Sequence, residues 1–283
     1  MPIAGPHLPE MTESRGGNIV RPLGLIGMVC GLLTLILSTT VAPALEDAKG
    51  LSTRDWETMW TSVLSRHVSD AGQIDFSALE HDHGDLDRVV AFVGSVDPIS
   101  QPHRFPELRS RMSYYINAYN ALAMYGVLQV GRPSSLGGLT KFTFFYLRKF
   151  NVGGKSISLY DLENQIIRPL GDERVHFALN CMVVSCPRLP RAAFTADALD
   201  RQLDTAARTF IGETRNVVIE PAIREVGLSS IFKFYTEDFL AHAPNLVAYL
   251  NRYGQQKIPA DFKVRFLDYD WSVNDRSRQG ARG

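Results

Sequence analysis

One histidine and two cysteines stand at even spacing in a short stretch, His176-x4-Cys181-x4-Cys186-Pro187. Those residue types in that order admit several chemistries. In an oxidising compartment two such cysteines pair. The intervening MVVS can turn, and closing so short a loop contributes about 2 kcal/mol in the chain-entropy model. A cysteine held as thiolate beside an imidazole is instead a nucleophile. Distance opposes His176 in that role, because five residues of extended chain span roughly 16 Å. A Cys–His pair then requires the strand carrying His176 to end near Leu179 and fold back, which makes Cys186 as good a nucleophile as Cys181. A Cys-x4-Cys pair with a nearby histidine also falls within zinc-ligand spacing, with Glu163 available as a further ligand. Last, both cysteines can serve as small buried apolar residues. The sequence calls for no cofactor.

Three more polar residues belong to the candidate pocket. Asn117 and Asn120 stand one helical turn apart in YYINAYNALAMYGVL, a segment apolar nearly all round. Asparagine is a poor helix former and its buried amide needs partners. These two either tie their helix to neighbouring backbone or face His176 and fix its tautomer. Glu163, in YDLENQ, is either a solvated helix residue or a partner for the same imidazole. Asp161 is more simply a first-turn acid that complements a helix dipole.

The elements that must position these groups follow from periodicity. Trp56, Met59, Trp60, Val63, Leu64 and His67 make a helix stripe capped by Ser52 or Thr53. Ile74 and Phe76 alternate as a very short strand. A second helix carries Leu86, Val89, Val90 and Val93 and stops at Asp97-Pro98. A long buried helix runs from near Pro106 to about Val130. FTFFYL (142–147), the turn Val152-Gly153-Gly154-Lys155 and the alternation 156–159 predict a β-hairpin. Ser158 with Asp161 predicts a helix start, and that helix ends at Pro169-Leu170-Gly171. Val175 to Leu179 reads as a buried strand. Thr195 caps a helix bearing Leu199, Leu203, Ala206 and Phe210. A hairpin (217–219 with 226–228), two short helices around 230–240 and 245–253, and a last strand (263–267) complete the chain. Helices first, then short interleaved pieces, imply an α+β fold: a helix-rich N-terminal part packed on a small, mainly antiparallel sheet.

The 283 residues hold 30 basic and 30 acidic side chains, so no global field attracts nucleic acid. Residues 23–41 are free of charge and are followed by Ala42-Pro43-Ala44, the pattern of a secretory signal peptide cut near Ala44. The run is also long enough to remain as an N-terminal anchor, the only membrane contact expected. Residues 45–283 read as one domain, placed in the periplasm or outside the cell.

YYINAYNAL (114–122), VGGKSISLYDLENQIIRPL (152–170), HFALNCMVVSCP (176–187), FTADALDRQLDTAARTFI (194–211), LSSIFKFYTEDF (228–239) and YDWSVN (269–274) occur in one order. Together they resemble the family catalogued as domain of unknown function 547, from about Trp56 to Asn274. The resemblance implies an exported bacterial protein and says nothing of its chemistry. Two functions remain open at this point. One is a non-catalytic envelope binding or structural module with a polar pocket around His176, taking an envelope partner or a small peptide-like ligand. The other is a cysteine-dependent hydrolase or acyl-transfer enzyme with a Cys–His pair acting on envelope peptides.

Overall fold

The structure, a computed structural model, describes residues 50–279. The expected signal segment and cleavage point lie outside the described residues. Helix α1 (Thr53–His67) begins where the Ser52 side chain accepts the Asp55 amide, and it buries Trp56, Trp60, Val63, Leu64 and His67. Its stripe thus meets the core as its spacing requires. Helix α2 (Phe76–His81) starts on the Asp75 cap, so Phe76 opens a helix and does not extend a strand. Ile74 alone keeps extended pairing, through isolated bridges to Val68 and Asp275. Helix α3 (Gly84–Ser95) and the long α4 (Leu108–Gln129) follow. α4 is buried on nearly every side, which explains why its sequence shows no single apolar face.

The predicted strand at 142–147 is overturned. Helix α5 (Leu139–Phe142) runs directly into a π-helical turn (Thr143–Leu147). Phe144 and Phe145 are buried while Phe142 and Leu147 are exposed. Aromatic density marked burial there but did not set the period. The hairpin begins later, with β1 (Phe150–Val152) and β2 (Lys155–Ile157) paired antiparallel. Its turn fits only glycine at Gly153: φ is +56°, and a Cβ would stand 1.3 Å from Asp97 Oδ2. Helix α6 (Leu159–Asp161) takes Ser158 as its cap, continues as a π-helical turn (Leu162–Ile167) and closes at left-handed Gly171.

The segment read as a buried strand, Val175 to Leu179, is also different. Residues Glu173–Phe177 form a 3-10 helix, started by the Asp172 side chain on the Arg174 amide. Helix α7 (Leu199–Gly212) then carries the expected stripe, one turn after Thr195, with Ala198 at its cap position. Strands β3 (Val217–Glu220) and β4 (Glu225–Leu228) form the predicted hairpin, and β5 (Lys263–Phe266) joins β4 in parallel. Helices α8 (Ser230–Phe234), α9 (Thr236–Leu240) and α10 (Leu246–Tyr253) lie between them, and α11 (Arg276–Gln279) ends the described chain. The fold is α+β, rich in helix, with two small and mainly antiparallel sheets.

Two apolar clusters result. One gathers α1 to α4, the first hairpin, residues as far as Leu203, and Val273; the other gathers the second half of α7, strands β3 and β4, and α8 to α10. Val175 and Ala178 belong to the first and Phe177 to the second. The 3-10 turn that carries His176 is therefore the seam between them. Among the described residues no helix is long and apolar enough to cross a membrane.

Candidate functional site

At that seam the His176 side chain is only 1% exposed. Its ring stacks on Tyr235 (centroids 3.7 Å apart) and meets Phe239 edge-on. Nε2 lies 2.7 Å from Asp238 Oδ2, on the short helix α9. Arg168 grips the same carboxylate with both arms, Nε on Oδ2 and Nη2 on Oδ1, each at 2.8 Å. Its third nitrogen, Nη1, donates to Asn164 Oδ1 at 2.7 Å. Burial pushes the Asp238 carboxyl up, but the hydrogen bonds from His176 and Arg168 outweigh it and hold the group well below the usual carboxylate range. Asp238 is therefore an anion, and Arg168 is held charged by the bond it makes to it.

An anionic partner on Nε2 fixes the imidazole. In the neutral ring the proton sits on Nε2, and Nδ1 presents its lone pair. This is the orienting role of a catalytic-triad aspartate. The sequence reading gave that role to Asn117, Asn120 or Glu163, and Asp238 fills it instead.

Glu163 is 3% exposed, in the π-helical turn after α6. Its Oε1 accepts the Tyr235 hydroxyl, and Tyr119 lies beside the same carboxyl. Burial raises its carboxyl. The Tyr235 hydrogen bond and the nearby His176 and Arg168 oppose that without cancelling it. Burial likewise lifts both phenols well above their ordinary value. A buried carboxyl beside two phenols, with no ion pair among the described residues, costs stability.

Cys181 and Cys186 are bonded to each other, with Cα atoms 6.1 Å apart. The Cys181 amide donates to the Cys186 sulfur at 3.0 Å, and the Tyr269 hydroxyl lies 3.5 and 3.4 Å from the two sulfurs. The thiolate nucleophile and the zinc reading both need free sulfurs, so the disulfide corrects both. Among the described residues no group of three His, Cys, Asp or Glu is arranged to hold a metal ion.

The two asparagines do the structural work. Asn120 donates to Ala178 O at 2.9 Å and accepts the Asn180 amide at 2.8 Å. Asn117 does the same with Phe194, at 2.7 and 2.9 Å. Asn180 in turn donates to Pro187 O and accepts the Met182 amide, which folds the disulfide loop back on itself. α4 thus clamps the start and end of the site-bearing segment.

A cavity of about 40 Å³ opens where these groups meet. His176, Glu163, Cys181 and Cys186 line it, with Tyr119, Tyr235, Tyr269, Phe145 and Trp271 as aromatic walls. Asn117 and Asn120 do not line it, which corrects their placement on a pocket wall. Arg168, Tyr235, Asp238 and Tyr269 were missed from sequence. Tyr235 and Asp238 are three apart in FYTED, and Arg168 follows Glu163 by five residues in ENQIIR. The three-residue step marks Tyr235 and Asp238 as helical neighbours, but five residues would put Glu163 and Arg168 on different faces of an α-helix, and nothing in a single chain joins 163–176 to 235–238.

Comparison with known families falls on the first part of this assembly. Residues 106–211 match the model of a family described as "Protein of unknown function, DUF547". The chain resembles that family. The DUF547 match contains Asn117, Asn120, Glu163, Arg168, His176, Cys181 and Cys186, and it stops before Tyr235, Asp238 and Tyr269. The resemblance expected over about Trp56 to Asn274 is thus supported over a shorter span. No curated protein and no solved structure matches the chain.

Proposed function

We propose that this chain is an exported, non-catalytic envelope module that takes a small peptide-like ligand at the pocket around His176. One observation carries the reading. The two sulfurs in the cavity are bonded to each other, which leaves polar groups that bind and orient, and no thiolate. A cavity of about 40 Å³ holds a few waters or one amide-sized group, so the ligand inserts a single polar group and rests the remainder outside. Nδ1 of His176 accepts from that group, and Glu163 donates or accepts according to its proton. The apolar run 23–41 ending in Ala42-Pro43-Ala44 supports export, and a disulfide suits an oxidising compartment.

A second reading rests on Glu163. A raised carboxyl and an oriented imidazole in one cavity suit general acid–base chemistry as well as binding. One experiment separates the two. Protein labelled with ¹⁵N-histidine is titrated with a panel of acetylated di- and tripeptides, and the mixtures are then analysed by mass spectrometry. Binding predicts saturable movement of the His176 resonances, lost in Glu163→Gln, with every peptide intact. Peptide cleaved by the wild type and not by His176→Ala establishes catalysis. No movement with any peptide contradicts the peptide-ligand reading.

A further inference from the structure

A second cavity is lined by Arg188, Leu189 and Pro190, directly after the Pro187 that lines the His176 pocket. Its volume is about 440 Å³, within the range of small-molecule sites. The floor is apolar, built from Phe177, Phe194, Phe210 and Leu189, and one face of α7 forms a wall.

The rim is basic. Arg188, Arg191 and Arg201 line it against one acid, Asp70. Arg188 is braced by Glu213 and by Asp70 O, the latter at 3.3 Å. Arg191 is braced by Asp70 Oδ1 at 2.7 Å and Ser65 O at 2.8 Å. Two guanidinium groups are thus fixed before any ligand arrives, which lowers the ordering cost of binding an anion. Arg201 is exposed and makes no ion pair among the described residues. Its charge is unspent at the mouth of an apolar cavity.

The polar groups on the α7 wall argue against a peptide. Gln202 is engaged at both ends, its Oε1 by the Thr195 amide at 3.0 Å and its Nε2 by Ala193 O at 2.9 Å. The Thr205 hydroxyl donates to Arg201 O at 2.7 Å, so among the described residues Thr209 is the uncharged polar side chain of this wall left without a partner. A peptide seated here would bury amides with few groups left to meet them, at a cost an unbranched hydrocarbon avoids. We infer that this cavity binds an acyl carboxylate, with its chain against Phe177, Phe194 and Phe210 and its head group at Arg201. The inference is independent of the His176 pocket.

Decanoate is the probe, measured by calorimetry on the intact chain beside decanol and the peptide acid N-acetyl-Leu-Phe. Arg201→Gln removes a charge without breaking an ion pair, so it folds as the wild type does. It is expected to weaken decanoate about fivefold and to leave decanol unchanged. Ala206→Trp fills the cavity and is expected to abolish both. Binding of decanoate that survives Ala206→Trp overturns the site. No heat with decanoate at millimolar concentration overturns it as well. Tighter binding of the peptide acid than of decanoate overturns the choice of ligand.

Discussion

Replacing Asp238 by Asn removes the carboxylate that joins Arg168 to His176 and keeps the side chain's size. Two charge-assisted bonds from Arg168 and one from the imidazole become neutral or disappear. A hydrogen bond to a charged group contributes about 1.5–3 kcal/mol, and breaking a buried pair from one side costs about 3–5 kcal/mol. Asp238 keeps 25% of its side-chain exposure and Asn retains one acceptor, so the lower end of the hydrogen-bond range applies, about 1.5 kcal/mol. The loss has a pH signature. The folded carboxyl titrates below its ordinary value of 3.8, so its stabilisation is present above that value and is lost as pH falls through the folded value. The gap between wild type and Asp238→Asn is therefore full at neutral pH and closes on acidification below about 3.8. Urea unfolding followed by tryptophan fluorescence reads the gap at each pH. A gap under about 0.5 kcal/mol at neutral pH, or one that stays constant into the acid range, refutes the argument.

Other consequences are checked as directly. Asn120→Ala leaves Ala178 O and the Asn180 amide without partners in the core, and a loss of about 2–4 kcal/mol is expected in the same unfolding assay. Glu57 is pushed up to about 7, first by burial and then by Asp197, against the pull of Arg54. Its contribution is full below its unfolded value of 4.5 and is lost as pH rises through about 7, so Glu57→Gln raises the melting temperature at alkaline pH and leaves it unchanged near pH 4. Peptide mapping without reduction is expected to find Cys181 and Cys186 bridged, and Cys181→Ser with Cys186→Ser to lose about 2 kcal/mol. N-terminal sequencing of protein recovered from outside the cytoplasm is expected to start after Ala44.

Much of the scaffold was legible because its signals are local. The stripe from Trp56 to His67, the punctuation at Asp97-Pro98 and the alternation around 217–228 each report a period within one element. FTFFYL misled because aromatic density reports burial, and a π-helical turn buries Phe144 and Phe145 as well as a strand would. Val175 to Leu179 misled for a related reason. Its apolar run is buried on two sides because two clusters share it, while the Asp172 cap and the Asn120 clamp bend it into a 3-10 turn. The site itself was half visible. His176, Glu163 and the cysteines were found by type and spacing. Asp238 was not, because 62 residues separate it from His176 and only tertiary packing brings them together.

The central claim is that Asp238 fixes the His176 ring with its proton on Nε2 and Nδ1 bare. Long-range ¹H–¹⁵N correlation on histidine-labelled protein, at a pH where the ring is neutral, reads the tautomer directly. The proton is expected on Nε2, with Nδ1 bare, and Asp238→Asn is expected to disturb that assignment. A ring protonated on Nδ1, or one that exchanges freely between tautomers in the wild type, contradicts it.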